Sequence, residues 1–306
     1  MIVPGRIIRI AEIKDEEWLD ETEICSPIRI INALCEGKAK ADVFTFSQKL
    51  PNTCKKFSYP CEWDNVAAIC TGKYDAWWHG LPQEARKNVR RSRRRGVAVR
   101  PFELDDDTIR GIVNIYNETP IRQGRRFAHY GKRFDIVKRE VSTLREKSLF
   151  IGAFLGEELI GFLKLVLMGP VAGILHLVSK NRHYDKRPSN ALIAASAEMC
   201  RDRGVSYMVY GKYVYGNKRN SPLTEFKRRT GFEQILVPRY FIPLTTSGRI
   251  FLRTGLHRGF IGILPSGAID VLLKLRSNMV RRLWLPSKGI FGSALPAVAS
   301  EDIERA

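Results

Sequence analysis

The stretch Tyr210–Glu233, YGKYVYGNKRNSPLTEFKRRTGFE, gathers side chains able to do chemistry. Tyr210, Tyr213 and Tyr215 bring three phenols, and Lys227 brings an amine inside a basic run that closes on Thr230-Gly231-Phe232. Phenols and amines can pass protons or stabilise negative charge that grows on an oxygen. Three readings fit these residue types. The stretch is a substrate-handling loop feeding a helix, a clamp for phosphate or nucleic acid, or an ordinary strand-to-helix connection with a solvated face.

A second polar constellation is Glu118–Lys132, ETPIRQGRRFAHYGK. Arg122, Arg125 and Arg126 flank a glycine that lets backbone approach a ligand, and His129 and Tyr130 follow. The set suits an anion such as a sugar nucleotide, a phosphorylated sugar or a carboxylate; the alternative is a mobile surface loop. His176 interrupts the strand-like GILHLV, either as a packed core histidine or as a general base. In NRHYDKRPSNAL, Lys186 and Arg187 precede the N–H groups from Ser189 and Asn190 onward, where a helix start can hold phosphate. There is no GxSxG, no Walker loop and no metal-ligand spacing, so no metal is expected.

These residues need a scaffold, and 306 residues suffice for one large domain with appendages or two modest ones. The 44% hydrophobic content is that of a globular chain. No apolar run is long enough to span a bilayer and the N-terminus lacks a signal-peptide layout, so the expectation is a cytoplasmic protein. The six cysteines show no CxxC pair and read as reduced, buried thiols. Of the net charge of +19, residues 1–80 carry −2 and residues 81–306 carry +21. This balance favours an anionic partner: a phosphate-bearing cofactor, RNA or acidic lipid.

Residues 1–80 read as short strands (ADVFTFSQ, VAAIC) and turn-rich loops, a β-rich extension. From Leu81 come a basic helix stopped by Gly96, a strand (VAVRPF), two helices around the Arg-rich loop, and three strands joined by tight turns. Then follow the helix NALIAASAEMCRDRG, the strand VSYMVYGKY, a helix capped by Ser221 with Pro222 in its first turn, and two strands in FEQILVPRYFIPL. Residues 246–306 extend beyond, with a basic amphipathic helix expected over 266–285. That helix docks on its own domain or another subunit, or lies on an anionic membrane.

From Val97 the order β-α-α-β-β-β-α-β-α-β-β resembles the GNAT acyltransferase superfamily over roughly residues 81–245. Within it the likeness is nearest to the Fem-type, FemAB-like branch of peptidoglycan-bridge aminoacyltransferases. Three segments carry it in the right order: RKNVRRSRRRGVAVR, TPIRQGRRF and EFKRRTGFE. The resemblance implies an α/β (α+β) fold with a mixed central sheet and flanking helices, splayed between its fourth and fifth core strands to admit an acyl donor. It implies that Lys227 stabilises an oxyanion, that Tyr215 or Tyr213 protonates the leaving group, and that Tyr210 stacks or positions. It also implies that the Glu118–Lys132 loop walls the acceptor site. NRHYDKRPSNAL lacks the glycine turn of the acetyl-CoA members, which leaves the donor open between acyl-CoA (acetyl-CoA) and aminoacyl-tRNA.

The expectation is an acyltransferase acting on an amine of an anionic metabolite or envelope-glycan precursor, with tRNA as a candidate partner. The rival is a non-catalytic module of the same fold that binds RNA or anionic membrane through its basic surface, including the Arg86–Arg95 helix.

Overall fold

The computed structural model describes residues 2–4, 8–13, 26–37, 40–122, 124–215 and 221–258. In chain order the first elements are β1 (Ile2–Pro4), β2 (Arg9–Glu12), α1 (Pro27–Glu36), β3 (Val43–Ser47), β4 (Cys61–Cys70), α2 (Tyr74–Gly80) and α3 (Gln83–Arg94). There follow β5 (Val97–Pro101), α4 (Asp106–Tyr116), a short hairpin of β6 (Ile121–Arg122) and β7 (Arg125–Arg126), α5 (Phe134–Val141), β8 (Ser148–Leu155), β9 (Glu158–Met168) and β10 (Val171–Ser179). The last are α6 (Pro188–Asp202), β11 (Tyr207–Val209), α7 (Pro222–Arg229), β12 (Glu233–Pro243) and α8 (Thr246–Arg253).

Local signals set the helix starts. At α4, Asp105 accepts from Thr108 N–H at 2.8 Å and Thr108 Oγ1 accepts from Asp105 N–H at 3.0 Å, a reciprocal cap. At α7, Ser221 Oγ accepts from Thr224 N–H at 3.1 Å and Pro222 occupies the first turn, as expected. Gly96 follows α3 at φ 79, the left-handed position that only glycine adopts cheaply.

Ten strands form one mixed sheet in the order β1-β2-β3-β12-β4-β11-β10-β9-β8-β5. The run β5-β8-β9-β10 is antiparallel, β10 and β11 are parallel, and β11-β4-β12-β3 is antiparallel. Helix α6 buries Leu192, Ile193 and Ala197 against Ile69, Ile151, Leu163 and Leu165. On the opposite face α4 and α5 bury Ile109, Ile112, Ile115, Val137 and Val141 against Phe150, Phe154 and Phe162. Each such large side chain contributes about 1.5–3 kcal/mol by leaving water. Covered on both faces, β9 reads as a nearly continuous apolar run. This is the GNAT-like mixed sheet with flanking helices that the sequence led us to expect.

Several elements differ from expectation. Residues 233–243 form one strand, not two, because β12 pairs with β4 over Glu233–Tyr240 and with β3 over Arg239–Pro243. Pro238 sits just where the β3 ladder stops, and its carbonyl accepts from Gln48 N–H at 2.9 Å. Strand β4 starts at Cys61 rather than Val66, since β12 gives it partners from Cys61 to Ala68. The early chain also holds helices α1 and α2. Because β4 lies between β11 and β12, the sheet runs across position 80. Beyond position 245, Thr245 Oγ1 donates to Asp42 Oδ1 at 2.9 Å and accepts from Gly248 N–H at 3.1 Å, which fastens α8 to the start of β3. The helix expected over 266–285 lies outside the described residues.

Candidate active site

Strands β10 and β11 pair at only three positions, Val171 with Tyr207, Ala172 with Met208 and Gly173 with Val209. The ladder of β10 with β9 then shifts register between Ile174 and His176. Past Val209 the chain leaves β10 for β4: Tyr210 N–H donates to Ala67 O at 2.8 Å, and Ala67 N–H to Gly211 O at 2.9 Å. The two strands therefore part, and Ile174–Ser179 keep β9 alone as a ladder partner. The strand expected over VSYMVYGKY is thus three residues long, and Tyr210–Tyr215 form a loop.

Asn65 of β4 shapes that loop. Its Oδ1 accepts from Val214 N–H at 2.6 Å and its Nδ2 donates to Val214 O at 3.2 Å. Tyr215 folds back until its hydroxyl lies over Gly211; a Cβ there would stand 2.5 Å from Tyr215 Oη, and Gly211 has φ 56. On α7, Lys227 points inward with 1% of its surface exposed. Its Nζ donates to Tyr210 O at 2.7 Å and Lys212 O at 2.6 Å. It also faces the rings of Tyr210 and Tyr215, with centroids at 4.6 and 5.2 Å. Burial alone lowers the Lys227 pKa to about 8, and burial pushes the Tyr210 phenol up to about 12.

The structure therefore brings Lys227, Tyr210 and Tyr215 together. Tyr213, like Tyr210, packs on the α6-side core; its carbonyl accepts from Thr224 Oγ1 at 3.4 Å, and burial raises its pKa. Phe226 packs on the same core. Arg228 and Arg229 are absorbed by Glu225, with Nε to carboxylate distances of 2.8 and 2.5 Å. Trp77 Nε1 donates to Gly231 O at 3.0 Å and locks the turn after α7.

On the other side of the gap, the Arg-rich loop divides its residues between support and surface. Arg122 donates to Ser179 O at 2.6 Å and Ile115 O at 2.9 Å, and lies over the Phe127 ring at 4.6 Å. Its guanidinium is a staple between α4, the hairpin and the end of β10. Arg125 and Arg126 are exposed on β7, and Tyr130 is 43% exposed. Glu118 accepts from Asn181 N–H at 2.5 Å and Arg182 N–H at 2.9 Å, tying this loop to the turn before α6.

His129 turns inward and stacks on Tyr116 at 4.5 Å, with His176 edge-on at 5.7 Å. His176 Nδ1 lies 3.4 Å from Tyr116 Oη, and burial, with repulsion from His129 once that ring is protonated and from the Lys164 cation, lowers its pKa to about 4. It is therefore neutral at pH 7, as a proton acceptor must be, but a weak base. Lys132 Nζ meets Glu140 at 2.6 and 2.8 Å and His129 Nδ1 at 3.1 Å. Opposite His176 in the ladder, fully buried Lys164 donates to Val141 O at 2.9 Å and also to Thr143 O; burial lowers its pKa to about 8.

At the start of α6, Arg187 is the cap residue in a left-handed conformation (φ 53), and its guanidinium lies over the Tyr184 ring at 4.6 Å. Ser189 Oγ is 3.0 Å from Ser179 Oγ, which sets the start of α6 beside the end of β10. Lys186 Nζ lies 3.5 Å from Asp185, and Asn190 is half-buried in the first turn. The first-turn N–H groups of a helix have no intrahelical acceptor and carry its positive pole, so they suit a phosphate. Arg95, just past α3, donates to Asp185 O at 2.9 Å and Oδ2 at 2.6 Å, joining the basic helix to this turn.

No cluster of metal-ligating side chains occurs among the described residues. None of their helices is long and apolar enough to cross a membrane. Cys200 is a buried free thiol whose pKa burial pushes up to about 12, which fits an inert core residue.

No family model matches the sequence, and no curated protein matches it. Solved structures do. FemX superposes with a TM-score of 0.54 at 10% identity, over 82% of this chain and 84% of that one. The C-terminal domain (DUF2156) of a putative lysylphosphatidylglycerol synthetase from Agrobacterium fabrum superposes with a TM-score of 0.51 at 13% identity, over 86% of each chain. At such identities the likeness shows the fold alone: the chain shares the architecture of these two structures.

Proposed function

We propose that the chain is an acyltransferase that moves an acyl or aminoacyl group from an activated donor to an amine on an anionic molecule. The observation that carries this reading is Lys227, a buried cation whose Nζ is held by two main-chain carbonyls beside the point where β10 and β11 part. An ammonium held by carbonyls and ring faces keeps its charge free of a carboxylate and available to a developing oxyanion; Lys164 is held alike, but by the turn after α5 and not by the loop that follows β11.

In this reading the acceptor nitrogen attacks the donor's carbonyl carbon. A C–N bond forms while the thioester C–S or ester C–O bond breaks. Lys227 stabilises the oxyanion of the tetrahedral intermediate, the leaving group takes its proton from Tyr215, and the proton shed by the attacking nitrogen passes through solvent to restore the phenol. The unpaired edge of β10 suits an extended, amide-bearing chain, which can add to it as a strand would. Lys186, Arg187 and the α6 N-terminus meet the donor's phosphate, whether the donor is an acyl-CoA or an aminoacyl-tRNA. Arg125, Arg126 and Tyr130 give the acceptor side a positive rim that attracts anions.

Thermal shift with acetyl-CoA, a long-chain acyl-CoA and tRNA, at low and moderate salt, tests the reading. Stabilisation by one donor that persists in salt, with release of the free thiol or uncharged tRNA when amines are added, is expected. Equal, salt-erased binding of every polyanion without turnover would contradict it and leave a basic binding module.

A further inference from the structure

Strand β4 ties down the loop around Lys227 at three places. At the start of the loop the main chains still pair: Tyr210 N–H donates to Ala67 O at 2.8 Å and Ala67 N–H to Gly211 O at 2.9 Å. In the middle, Lys212 Nζ lies 3.2 Å from Asp64 Oδ2. At the end a side chain takes over from the backbone. Asn65 Oδ1 accepts from Val214 N–H at 2.6 Å, and Asn65 Nδ2 donates to Val214 O at 3.2 Å. A carboxamide sets an acceptor and a donor side by side, as the main chain of a neighbouring strand would, and only Asn and Gln carry one.

Both groups assigned to the reaction hang from the backbone between these ties. Tyr210 O and Lys212 O accept from Lys227 Nζ at 2.7 and 2.6 Å. The rings of Tyr210 and Tyr215 also face that ammonium, with centroids at 4.6 and 5.2 Å. Tyr215 directly follows Val214, and its hydroxyl returns to the far end of the loop at Gly211. Asn65 thus reaches the lysine and the phenol through the chain it holds.

We infer that Asn65 is a positioning residue for the transfer step: by fixing Val214 it sets both the carbonyl pair that holds Lys227 and the place of the Tyr215 phenol. The inference rests on the acyltransferase reading. Without the carboxamide, Val214 N–H and O turn to water, the two carbonyls lose their fixed spacing, and water reaches Nζ. A reacting group displaced by about 1 Å loses on the order of 10²-fold in rate. The donor contacts assigned to the β10 edge and the start of α6 lie on other elements, so donor affinity is not expected to follow.

Steady-state transfer and an NMR titration of Lys227 Nζ test the inference in the full-length wild type, Asn65→Ala, Asn65→Asp and Asn65→Gln, with Lys227→Met assigning the signal. Asn65→Asp is nearly isosteric and leaves no void; it keeps the acceptor for Val214 N–H but turns a second oxygen toward Val214 O. In Asn65→Ala and Asn65→Asp, kcat is expected to fall about tenfold or more at an unchanged donor KM, and Asn65→Gln, which keeps the amide, loses less. The Lys227 midpoint, near pH 8 through burial, is expected to rise in Asn65→Ala as water enters. A wild-type kcat in Asn65→Ala and Asn65→Asp, or a fall in kcat with the Lys227 midpoint unmoved, would overturn the assignment. A wild type that transfers from neither acetyl-CoA nor aminoacyl-tRNA, with the midpoint still moved by Asn65→Ala, would keep the hold on Lys227 and refute the acyltransferase reading instead.

Discussion

Lys227 Nζ lies 4.6 Å from the centroid of the Tyr210 ring and donates to that residue's carbonyl at 2.7 Å. One tyrosine thus supplies both a π-face and an acceptor to a buried cation, and a lysine that would otherwise be a passive core residue is held ready to lose or keep its proton near neutral pH.

The stability of the fold should record that proton. Burial lowers both Lys227 and Lys164 from 10.5 to about 8. Between pH 8 and 10 the unfolded lysines still hold protons that the folded ones have lost, so stability rises with pH in that window. Below pH 8 this slope vanishes. From pH 9 the buried Cys200 thiol, and above pH 10 the Tyr210 phenol, both raised to about 12, work the other way, since the unfolded groups ionise first. Urea midpoints measured from pH 7 to 10 are expected to rise; Lys227→Met removes part of the rise, and Lys164→Met a further part.

Gly211→Ala probes the fold-back of Tyr215. The left-handed φ of 56 costs an alanine about 1 kcal/mol, and the new methyl group displaces the Tyr215 hydroxyl. Transfer is expected to fall about as far as in Tyr215→Phe, on the order of 10²-fold for a lost proton donor. Wild-type rates in Gly211→Ala would separate Tyr215 from the chemistry.

Arg122 and Arg125 should respond in opposite ways to removal. Arg122→Ala deprives Ser179 O and Ile115 O of a charged donor and is expected to cost about 2–3 kcal/mol of stability by chemical denaturation. Arg125→Ala touches an exposed side chain and should leave stability within about 0.5 kcal/mol, while weakening salt-sensitive attraction of an anionic acceptor.

Gly231→Ala is expected to be more damaging than Gly211→Ala. A Cβ at Gly231 would stand 2.5 Å from Trp77 Nε1 at a φ of 81, inside the turn that fixes the end of α7. Strain and the displaced Trp77 hydrogen bond together predict a loss of about 2 kcal/mol or more, read as a fall in the unfolding midpoint.

How much of this was legible depends on how local each signal is. Ser221, Pro222 and Phe226 announce α7 within eight residues, but within its basic run only the family resemblance singled out Lys227. The place of β4 between β11 and β12 was not legible, because strand neighbours so far apart in sequence leave no local trace. Tyr213 and Tyr215 were singled out by the family resemblance; that both lie in a loop and not on a strand was hidden, because the chain leaves β10 after Val209. Lys164 hid in an apolar run whose compensating carbonyls, Val141 O and Thr143 O, come from the turn after α5. Arg122 looked like a ligand-gripping arginine because its acceptors are main-chain atoms, which a sequence does not distinguish.

The most direct measurement is single-turnover acyl transfer by the wild type and Lys227→Met, with acetyl-CoA and with a mixed aminoacyl-tRNA pool, alongside donor-induced thermal shift. The account predicts that Lys227→Met loses transfer by about 10²-fold or more, the scale of a missing oxyanion donor, while the donor still stabilises the protein as before. Transfer by Lys227→Met at the wild-type rate would contradict it.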